Sequence, residues 1–497
     1  MFLAMLDQSI VGTALPRITA ELGGTTLYTW VVTAYLVTST VTVPLYGRLS
    51  DQHGRKPLLL IGMTVFVAGS ALCGAAQDMT QLIAFRALQG LGAGALVPLS
   101  LALVLEMFPP QRGGARIQGA LGAVMALSFL AGPFIGGVFT DQANWRWSFY
   151  VNVPLGLVLL AIVWFQLPRR AGTGGGRPDY LGIGVFTVAI SALLVGLTEK
   201  GVDAHTWTSP PVIGPILLAV VLLAVFVAVE LRVEHPIVPM RLFANRDFTL
   251  IMVISFFTAF CMYAGVVFLP RYFQEALGVS ATDSGLRIYP LTLAMVSGSV
   301  LMGALMTRTR RYKPWLLASP FLLAAGTLLC LNLALGTSPW LLAGWMVLIG
   351  LGMGPMMSGL TVAAQQSVPP QHIGVASANL TFFRQIGGSV ALAFAGTAYT
   401  SVIVSDAPRY GLPAAHASAA ATVIPLLGVI GAAVALVAIV ALRGGVIPMA
   451  PEGEVREKLM ESPTPGGPHG GNTGEGSRRD SRGRDEAQVP RGAGAQA

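Results

Sequence analysis

Apolar stretches of about twenty residues recur along this 497-residue chain, each bounded by polar residues, glycine or proline. An α-helix of that length crosses the ~30 Å hydrocarbon core of a membrane. Charged residues make up only 11% of the chain, against roughly 25% in soluble domains. The sequence therefore predicts an all-α polytopic membrane protein with fourteen transmembrane helices. The predicted spans are residues 1–16, 27–46, 57–76, 81–107, 117–140, 148–167, 180–198, 211–230, 248–270, 285–306, 315–335, 340–364, 380–404 and 419–442.

Lysine and arginine are distributed unevenly among the loops that join these spans. Loops after even-numbered spans carry fifteen of them, and loops after odd-numbered spans carry six. Since cytoplasmic loops are rich in basic residues, this bias predicts a multi-pass protein of the cytoplasmic membrane with both termini in the cytoplasm. It also accounts for much of the net charge of +8 without a nucleic-acid partner. The first span is only 16 residues long, or ~24 Å, so we expect the natural chain to begin somewhat upstream.

Two glycine-rich stretches are related by an offset of 260 residues. Residues 88–116 ("LQGLGAGALVPLSLALVLEMFPPQRGGAR") and 348–376 ("LIGLGMGPMMSGLTVAAQQSVPPQHIGVA") share nine identities without a gap, and "KPLLL" at 56–60 returns as "KPWLL" at 313–317. An even number of spans separates the partners, so the two halves run parallel, as in transporters whose substrate site lies between such halves. The predicted domains are an N-terminal six-helix bundle (1–167), a linker with two extra transmembrane helices (168–246), a C-terminal six-helix bundle (247–442) and a disordered cytoplasmic tail (443–497) rich in Gly, Pro and Ser.

The first span contains one acidic residue, Asp7, in an otherwise mostly apolar stretch. We expect Asp7 to be the only acid well inside a span, and burial can raise the pKa of a carboxyl group by up to ~3–5 units. Such a group can take a proton from one side of the membrane and release it to the other, so that proton and substrate exchange in one cavity. A charge near a frayed N-terminus is the alternative. Arg86 and Arg384 also lie in apolar spans, where a charge normally faces the protein interior with a partner, although snorkelling or an end position would also explain them.

The segment after the second span reads "GRLSDQHGRKP". Gly47 and Gly54 allow tight turns, and Asp51 can cap a helix or pair with an arginine. Arg55 and Lys56 follow the expected excess of basic residues on the cytoplasmic side. A short cytoplasmic loop would need no more than this composition. The ordered pattern nevertheless resembles the signature loop of the major facilitator superfamily.

Further segments resemble the same superfamily. "RALQGLGAGA" is similar to a fourth-helix motif and contains Arg86 and Gln89, and "SFLAGPFIGG" is similar to an antiporter signature. "LDQSIVGTALPRI", "WRWSFYVNVP" and "NLTFFRQIGGS" resemble segments of fourteen-span drug:proton antiporters of the EmrB/QacA type. The resemblance covers residues 1–442 and implies the major facilitator fold, two pseudo-symmetric six-helix bundles plus two inserted helices. It implies proton coupling by Asp7 and Arg86, gating by the 47–56 segment, and a hinge in the fifth helix that sets transport direction; for that helix, a plain packing face is the alternative. The hinge residues are Gly132, Pro133, Gly136 and Gly137.

Methionine and aromatic side chains line the predicted cavity, and such surfaces adapt to varied apolar ligands. The candidates are Tyr35, Gln89, Met125, Met353, Met356, Met357, Asn379, Phe382, Phe383, Arg384 and Gln385. For each of them, core packing or lipid contact is the alternative. We predict a monomeric secondary active multidrug efflux transporter that exchanges protons for amphipathic small molecules by alternating access. Proton-coupled uptake of a nutrient or metabolite and a non-transporting membrane receptor are the alternative functions.

Nothing in the sequence predicts an enzyme. None of the four lysines follows a glycine, which excludes a P-loop. Cys73, Cys261 and Cys330 lie inside apolar runs, and no Cys/His spacing suits a metal ion. We therefore predict neither a cofactor nor a metal site.

Overall fold

The structure is a computed structural model, and it describes residues 2–24, 27–107, 114–168, 179–199, 207–233, 236, 240–369 and 373–445. These residues form seventeen α-helices joined by short connections. The first nine are α1 (Phe2–Leu22), α2 (Trp30–His53), α3 (Arg55–Ala75), α4 (Met79–Met107), α5 (Gly114–Gln142), α6 (Trp147–Tyr150), α7 (Asn152–Gln166), α8 (Tyr180–Glu199) and α9 (Pro210–Glu230). The others are α10 (Arg246–Tyr263), α11 (Leu269–Arg271), α12 (Ala281–Arg287), α13 (Tyr289–Thr309), α14 (Lys313–Leu329), α15 (Pro339–Gln366), α16 (Ile373–Tyr410) and α17 (Leu412–Ala441).

Ten stretches of the described residues are long and apolar enough to cross a membrane. They are Arg55–Ala75, Met79–Ser100, Trp147–Gln166, Pro210–Glu230, Arg246–Ala276, Ala281–Met306, Lys313–Asn332, Pro339–Gln366, Val375–Tyr410 and Leu412–Ala441. Each overlaps a predicted span, so the prediction of a helical, multi-pass membrane protein is confirmed. The remaining predicted spans fall on α1, α2, α5 and α8, which are helical but do not meet the same criterion. The count of fourteen is therefore not confirmed.

A single glycine joins α2 to α3. Gly54 has a φ of 86°, a left-handed conformation that residues with a side chain rarely adopt. The predicted loop over residues 47–56 is otherwise helical, and the prediction of a turn at Gly47 is wrong, because α2 continues through it to His53. One residue with positive φ is enough to reverse the chain, so the second glycine is not needed for a turn.

The ninth span is longer than predicted. After α10 the chain continues through two π-helical segments, Ala264–Phe268 and Tyr272–Ala276, which flank α11. A π-helical turn accommodates an extra residue without ending the helix. The predicted end at residue 270 is therefore about one turn too early, and residues assigned to a loop lie inside the helical rod.

The same helix pairs recur in the two parts of the chain. α1 packs on α5 as α10 packs on α16, α2 on α4 as α13 on α15, and α3 on both α4 and α7 as α14 on both α15 and α17. The repeated glycines make equivalent contacts. A Cβ added at Gly90 would lie 2.5 Å from the Tyr35 carbonyl oxygen on α2, and one at Gly350 would overlap the Leu291 carbonyl oxygen on α13.

Two lysines at equivalent helix starts cap equivalent helix ends. Lys56 Nζ donates to the carbonyl oxygens of Trp164 at 2.7 Å and Leu167 at 2.6 Å, at the end of α7. Lys313 Nζ donates to the carbonyl oxygens of Val440 and Leu442, at the end of α17. A cation beside the unpaired carbonyl groups of a helix C-terminus is stabilising, so each lysine ties the third helix of its repeat to the last.

The inserted pair and the tail complete the described chain. α8 and α9 pack on each other, and α8 also packs against α2 and α16. At the other terminus, the backbone N–H groups of Arg443 and Gly444 donate to the Asp247 carboxylate at 2.9 and 2.6 Å. The predicted disordered tail from 443 therefore begins too early, because its first residues are held at the start of α10. Residues 446–497 lie outside the described part.

The helices give the bundle two distinguishable ends. We call the end where α1 passes into α2 the α1–α2 end; α5 also ends there and α12 begins there. We call the opposite end, marked by Gly54, the α2–α3 end.

Candidate functional site

A buried ion pair joins α1 to α4. Arg86 Nη1 lies 2.7 Å from Asp7 Oδ2, and both side chains are fully shielded from solvent. Arg86 Nε also donates to the Val31 carbonyl oxygen of α2 at 3.2 Å, and the guanidinium carbon lies 4.2 Å from the centre of the Tyr35 ring. A charge pair removed from water needs such further contacts to offset its desolvation, so α2 is part of the same site.

Two amide side chains donate to the other oxygen of Asp7. Gln89 Nε2 and Asn152 Nδ2 donate to Asp7 Oδ1 at 2.9 and 2.8 Å. Gln89 Oε1 accepts from Arg86 Nη1 at 2.7 Å, and Asn152 Nδ2 also donates to Ser70 Oγ at 3.0 Å. Side chains of α4 and α7 therefore meet at the carboxylate carried by α1, and Ser70 of α3 contacts it through Asn152. Sequence reasoning missed Asn152; an amide inside the otherwise apolar "FYVNVPLGLVLL" was the available signal.

The charge balance of this cluster depends on the protonation state of Asp7. An ionised carboxylate accepts from all three donors, whereas a neutral one leaves Arg86 without a counter-charge, at a cost of several kcal/mol in a buried site. Among the described residues, Arg86 Nη2 and Asn152 Oδ1 are buried without a hydrogen-bond partner. Rotating the Asn152 amide by half a turn would present that free oxygen to a protonated Asp7. A change in the charge of this carboxyl group would therefore alter the contacts between α1 and α4.

A narrow cleft lies beside the ion pair. It is lined by Gln8, Ser9, Gly12, Val32, Met262, Tyr263, Val266 and Val267, which come from α1, α2 and the α10 rod. In this conformation the cleft has room for about one water molecule, whereas pockets for drug-sized ligands enclose roughly 300–1,000 Å³. The cleft marks where the first and second repeats meet next to Asp7.

The predicted hinge residues of α5 face α1 on one side. A Cβ added at Gly136 would come within 2.5 Å of Thr13 Oγ1, and one at Gly132 would overlap the Ser9 hydroxyl group. Ser9 in turn donates to the Ser128 carbonyl oxygen of α5 at 3.1 Å. Glycine allows the two backbones to approach this closely, so α5 is fixed directly against the helix that carries Asp7.

The remaining hinge residues face α12, across the boundary between the repeats. A Cβ added at Gly137 would lie 2.6 Å from the Ala281 carbonyl oxygen, and one added at Gly285 would overlap the Pro133 carbonyl oxygen. The motif therefore contacts α1 with one pair of residues and α12 with the other. Movement of one repeat against the other would therefore change the contacts of this motif.

Two polar contacts close the α1–α2 end next to this crossing. The Asp141 carboxylate at the end of α5 accepts the N–H groups of Ala281 at 3.1 Å and Thr282 at 2.6 Å, at the start of α12. Gln274 Nε2 donates to the Thr13 carbonyl oxygen at 2.8 Å. A carboxylate at a helix N-terminus is favourable because the N–H groups there are unpaired. Both contacts join the first repeat to the second.

The predicted gating segment lies at the other end of the molecule. Gly47 is twelve residues beyond Tyr35 on α2, or ~18 Å along a helix, so the segment does not meet the Asp7 cluster. Arg55 begins α3 and is half-buried, while the side chain of Asp51 lies outside the described part. Within this segment, Gly54 forms the turn, Lys56 caps the end of α7, and the Gly47 carbonyl oxygen accepts from the Ser50 hydroxyl group at 2.7 Å.

Some predicted cavity residues lie in helix packing instead of a cavity. Met353 and Met356 are fully buried, and Met356 Sδ accepts a hydrogen bond from the Thr258 hydroxyl group at 3.5 Å. Met357 is partly buried against the same core. The side chain of Met125 lies outside the description.

The predicted residues of α16 face several neighbours. Phe382 packs on Phe186 of α8 and Phe383 on Phe243, with ring centres 5.1 and 5.7 Å apart. Gln385 Oε1 accepts from the Thr40 hydroxyl group of α2 at 3.0 Å. Asn379 is buried, and so are two nitrogens of Arg384.

A second buried charge cluster was missed from the sequence. Arg271 Nε lies 2.7 Å from Glu275 Oε2, and His416 Nδ1 lies 2.8 Å from the same oxygen. The Arg271 guanidinium lies between the rings of Tyr28 and Tyr399, at 4.1 and 4.2 Å from their centres. Glu275 lies one residue before the end of the candidate span Arg246–Ala276 and is 18% exposed, so the expectation that Asp7 is the only acid well inside a span stays a prediction. The spacing of four residues between Arg271 and Glu275 was the available signal.

Comparison with known proteins decides the family. Residues 1–392, more than three quarters of the chain, match the family described as the Major Facilitator Superfamily. The chain belongs to this superfamily. The multidrug transporter protein MdtP of Bacillus subtilis is 39% identical over 396 residues, covering 80% of this chain and 73% of that protein. Multidrug resistance protein 3 of the same organism is 33% identical over 405 residues, covering 82% and 78%.

A solved structure shares the fold of this superfamily member. The bacterial homolog of the human lysosomal transporter Spinster, in an inward-facing and unoccupied conformation, superposes with a TM-score of 0.61 at 15% identity, over 94% of this chain and 96% of that one. The protein is thus a multi-pass membrane transporter of the Major Facilitator Superfamily and not an enzyme. The predicted resemblance to the superfamily is confirmed, whereas membership of its fourteen-span subfamily is not.

Proposed function

We propose that this transporter exports amphipathic small molecules in exchange for protons, and that the Asp7 cluster is its proton-binding site. The observation that carries the proposal is the burial of Asp7 against Arg86, Gln89 and Asn152. The similarity of this chain to two multidrug transport and resistance proteins supports the choice of small organic molecules as substrates. The proposed protein is a monomer of fourteen spans in the cytoplasmic membrane, with both termini in the cytoplasm.

We also propose the predicted division into residues 1–167 and 247–442 as two halves, with residues 168–246 as the inserted segment. The equivalent helix pairs and the equivalent caps made by Lys56 and Lys313 support this division. With cytoplasmic termini, the α1–α2 end faces outward. The contacts of Asp141 and Gln274 then hold the outer end closed in this structure.

Proton binding at Asp7 is the event that drives the cycle. Neutralising Asp7 frees Arg86 from its counter-charge, which favours a different arrangement of α1 against α4. Because α5 is fixed to α1 at Gly132 and to α12 at Gly137, a movement of α1 reaches the contact between the halves. Substrate and proton then bind in alternate states, which is exchange.

The test is proton flux in reconstituted liposomes. The purified protein is placed in vesicles that hold a pH-sensitive dye, a proton gradient is imposed, and ethidium and other amphipathic compounds are added. We expect the compounds to dissipate the gradient in the wild type and not in Asp7→Asn. Glu21→Gln is the matched control, because Glu21 lies on the same helix but is 43% exposed; it should behave as the wild type.

Three results would contradict the proposal. Wild-type proton flux in Asp7→Asn would remove Asp7 from the coupling mechanism. Movement of substrate and protons in the same direction would identify an uptake transporter. Absence of proton flux with every compound, in protein that still binds them, would identify a receptor.

A further inference from the structure

Arg384 is a partly buried arginine that forms no ion pair with another of the residues that the structure describes. It lies on α16, inside the candidate span Val375–Tyr410. Among the residues that the structure describes, its Nε and Nη2 atoms are buried and donate to no acceptor. The other two interior arginines differ in this respect, because Arg86 pairs with Asp7 and Arg271 with Glu275. A buried donor left without an acceptor costs about 1–3 kcal/mol, so two such N–H groups on one guanidinium call for a compensating acceptor.

The surroundings of Arg384 join both halves of the transporter. The titratable group that acts on its guanidinium is the Tyr263 phenol, and Tyr263 also lines the cleft beside Asp7. One turn further along α16, a Cβ added at Gly388 would overlap the same tyrosine ring. The next residue, Gln385, accepts a hydrogen bond from Thr40 of the first half. Arg384 therefore lies at the central interface.

The two free nitrogens form one side of the guanidinium fork. Nε–H and one Nη2–H point in parallel along the same edge, which is the geometry that binds the two oxygens of a carboxylate. Nearby Tyr263 is an uncharged phenol, so no charge in the described surroundings neutralises this edge. The edge is covered in this conformation, and an anion can reach it only when the halves separate.

We propose that Arg384 binds an anionic oxygen-bearing group, a carboxylate or sulfonate, on the amphipathic molecule that is transported. The inference rests on the proposed export function and narrows its substrate class. Arg384 is then a specificity residue in the second half, while Asp7 carries the proton in the first. Substrate with a negative head and an apolar body should bind more tightly than its neutral ester.

The experiment compares matched probes on purified full-length protein in detergent. Binding of cholate, its neutral methyl ester and the cation tetraphenylphosphonium is measured by tryptophan fluorescence and by ligand-induced thermal stabilisation. We expect wild type to prefer cholate, and Arg384→Gln to weaken cholate binding by about 10- to 100-fold with little effect on the other two. Arg384→Lys should recover part of the affinity, because it keeps the charge and loses the fork. Arg409→Gln, which removes an exposed charge from the same helix, is the control and should bind as wild type.

A second measurement separates binding from folding. Since Arg384 is uncompensated, Arg384→Gln without ligand should melt at the same temperature as the wild type or higher. A lower melting temperature with unchanged cholate affinity would show a structural role and overturn the proposal. Equal loss of cholate and ester binding would do the same. Phospholipid that is retained by wild type, lost from Arg384→Gln and accompanied by unchanged cholate affinity would assign the site to a lipid headgroup.

These outcomes are distinct from failure of the export function. Proton exchange that requires Asp7 but shows no dependence on Arg384 would leave the proposed function intact and remove only the anion site. Cholate binding that depends on Arg384, in a protein without proton flux, would support the anion site and contradict the proposed exchange function.

Discussion

Removing the charge of Asp7 alone should destabilise the transporter more than removing it together with that of Arg86. The pair is 2.7 Å long and fully buried, and breaking one partner of such a pair costs about 3–5 kcal/mol. In Asp7→Asn, Arg86 keeps only Gln89 Oε1, the Val31 carbonyl oxygen and two ring faces. In Asp7→Asn with Arg86→Met, no charge is left, and weakened amide contacts account for about 1–2 kcal/mol. The double variant should therefore be more stable than Asp7→Asn alone by about 1–4 kcal/mol, and the single variant Arg86→Met completes the cycle that gives the coupling energy.

The assay is unfolding of each variant in mixed micelles of dodecylmaltoside and SDS, followed by tryptophan fluorescence, with the free energies combined as a double-mutant cycle. The control is the ion pair between Glu21 and Arg146, of similar length at 2.9 Å but with exposed fractions of 43% and 21%. Glu21→Gln should cost about 0–1 kcal/mol. If the effects of Asp7→Asn and Arg86→Met simply add, the carboxylate and guanidinium are not energetically linked, and the argument for coupled rearrangement fails.

Three further predictions concern other contacts. Gly137→Ala should weaken closure of the α1–α2 end by about 1–3 kcal/mol, measured as faster labelling by an impermeant maleimide of a cysteine placed at Thr282. The control Gly184→Ala, where a Cβ meets nothing within 4 Å, should leave the labelling rate unchanged. Equal labelling rates in the two variants would contradict the contact. Lys56→Met and Lys313→Met should each lower the free energy of unfolding by about 1 kcal/mol, and clearly unequal losses would argue against equivalent caps. Partial burial raises the pKa of Asp141, but hydrogen bonds from Thr282 and Ala281 outweigh it and hold this pKa below its ordinary value. The contribution of Asp141 to stability is therefore full above about pH 3.9 and is lost as the pH falls through the lowered pKa. Asp141→Asn should abolish this pH dependence in thermal melts.

The apolar runs located the helices well, because a lipid-facing or core helix must be continuous and apolar along its length. The internal repeat indicated the equivalent helix pairs for a similar reason, since Gly90 and Gly350 allow the same close approach in each half. The boundaries were harder to predict. The π-helical segments that extend the ninth span satisfy their own backbone groups, so Pro270 and Arg271, which suggest an end, do not produce one.

The site was only partly visible in the sequence. Asp7 stood out because its neighbours are apolar, but its donors come from two other helices, α4 and α7, and a pattern along the chain does not report which helices meet. Asn152 and Ser70 were recognised as part of the site only once the structure showed that α7 and α3 pack beside Asp7. Glu275 was overlooked since it was assigned to a loop, where a carboxylate needs no partner. Met356 shows a further ambiguity, because an adaptable methionine side chain is equally suited to lining a cavity and to filling a core.

The glycine contacts recur at an offset of 260 residues, yet the positions equivalent to Arg86 and Gln89 are Met346 and Ile349. Both are buried and apolar. Duplication of one ancestral unit would thus have preserved the scaffold in each copy while leaving a charged side chain at the Arg86 position in the first alone. Interior side chains of the second copy could then change, so that the transporter binds other substrates while the residues proposed for proton coupling stay the same.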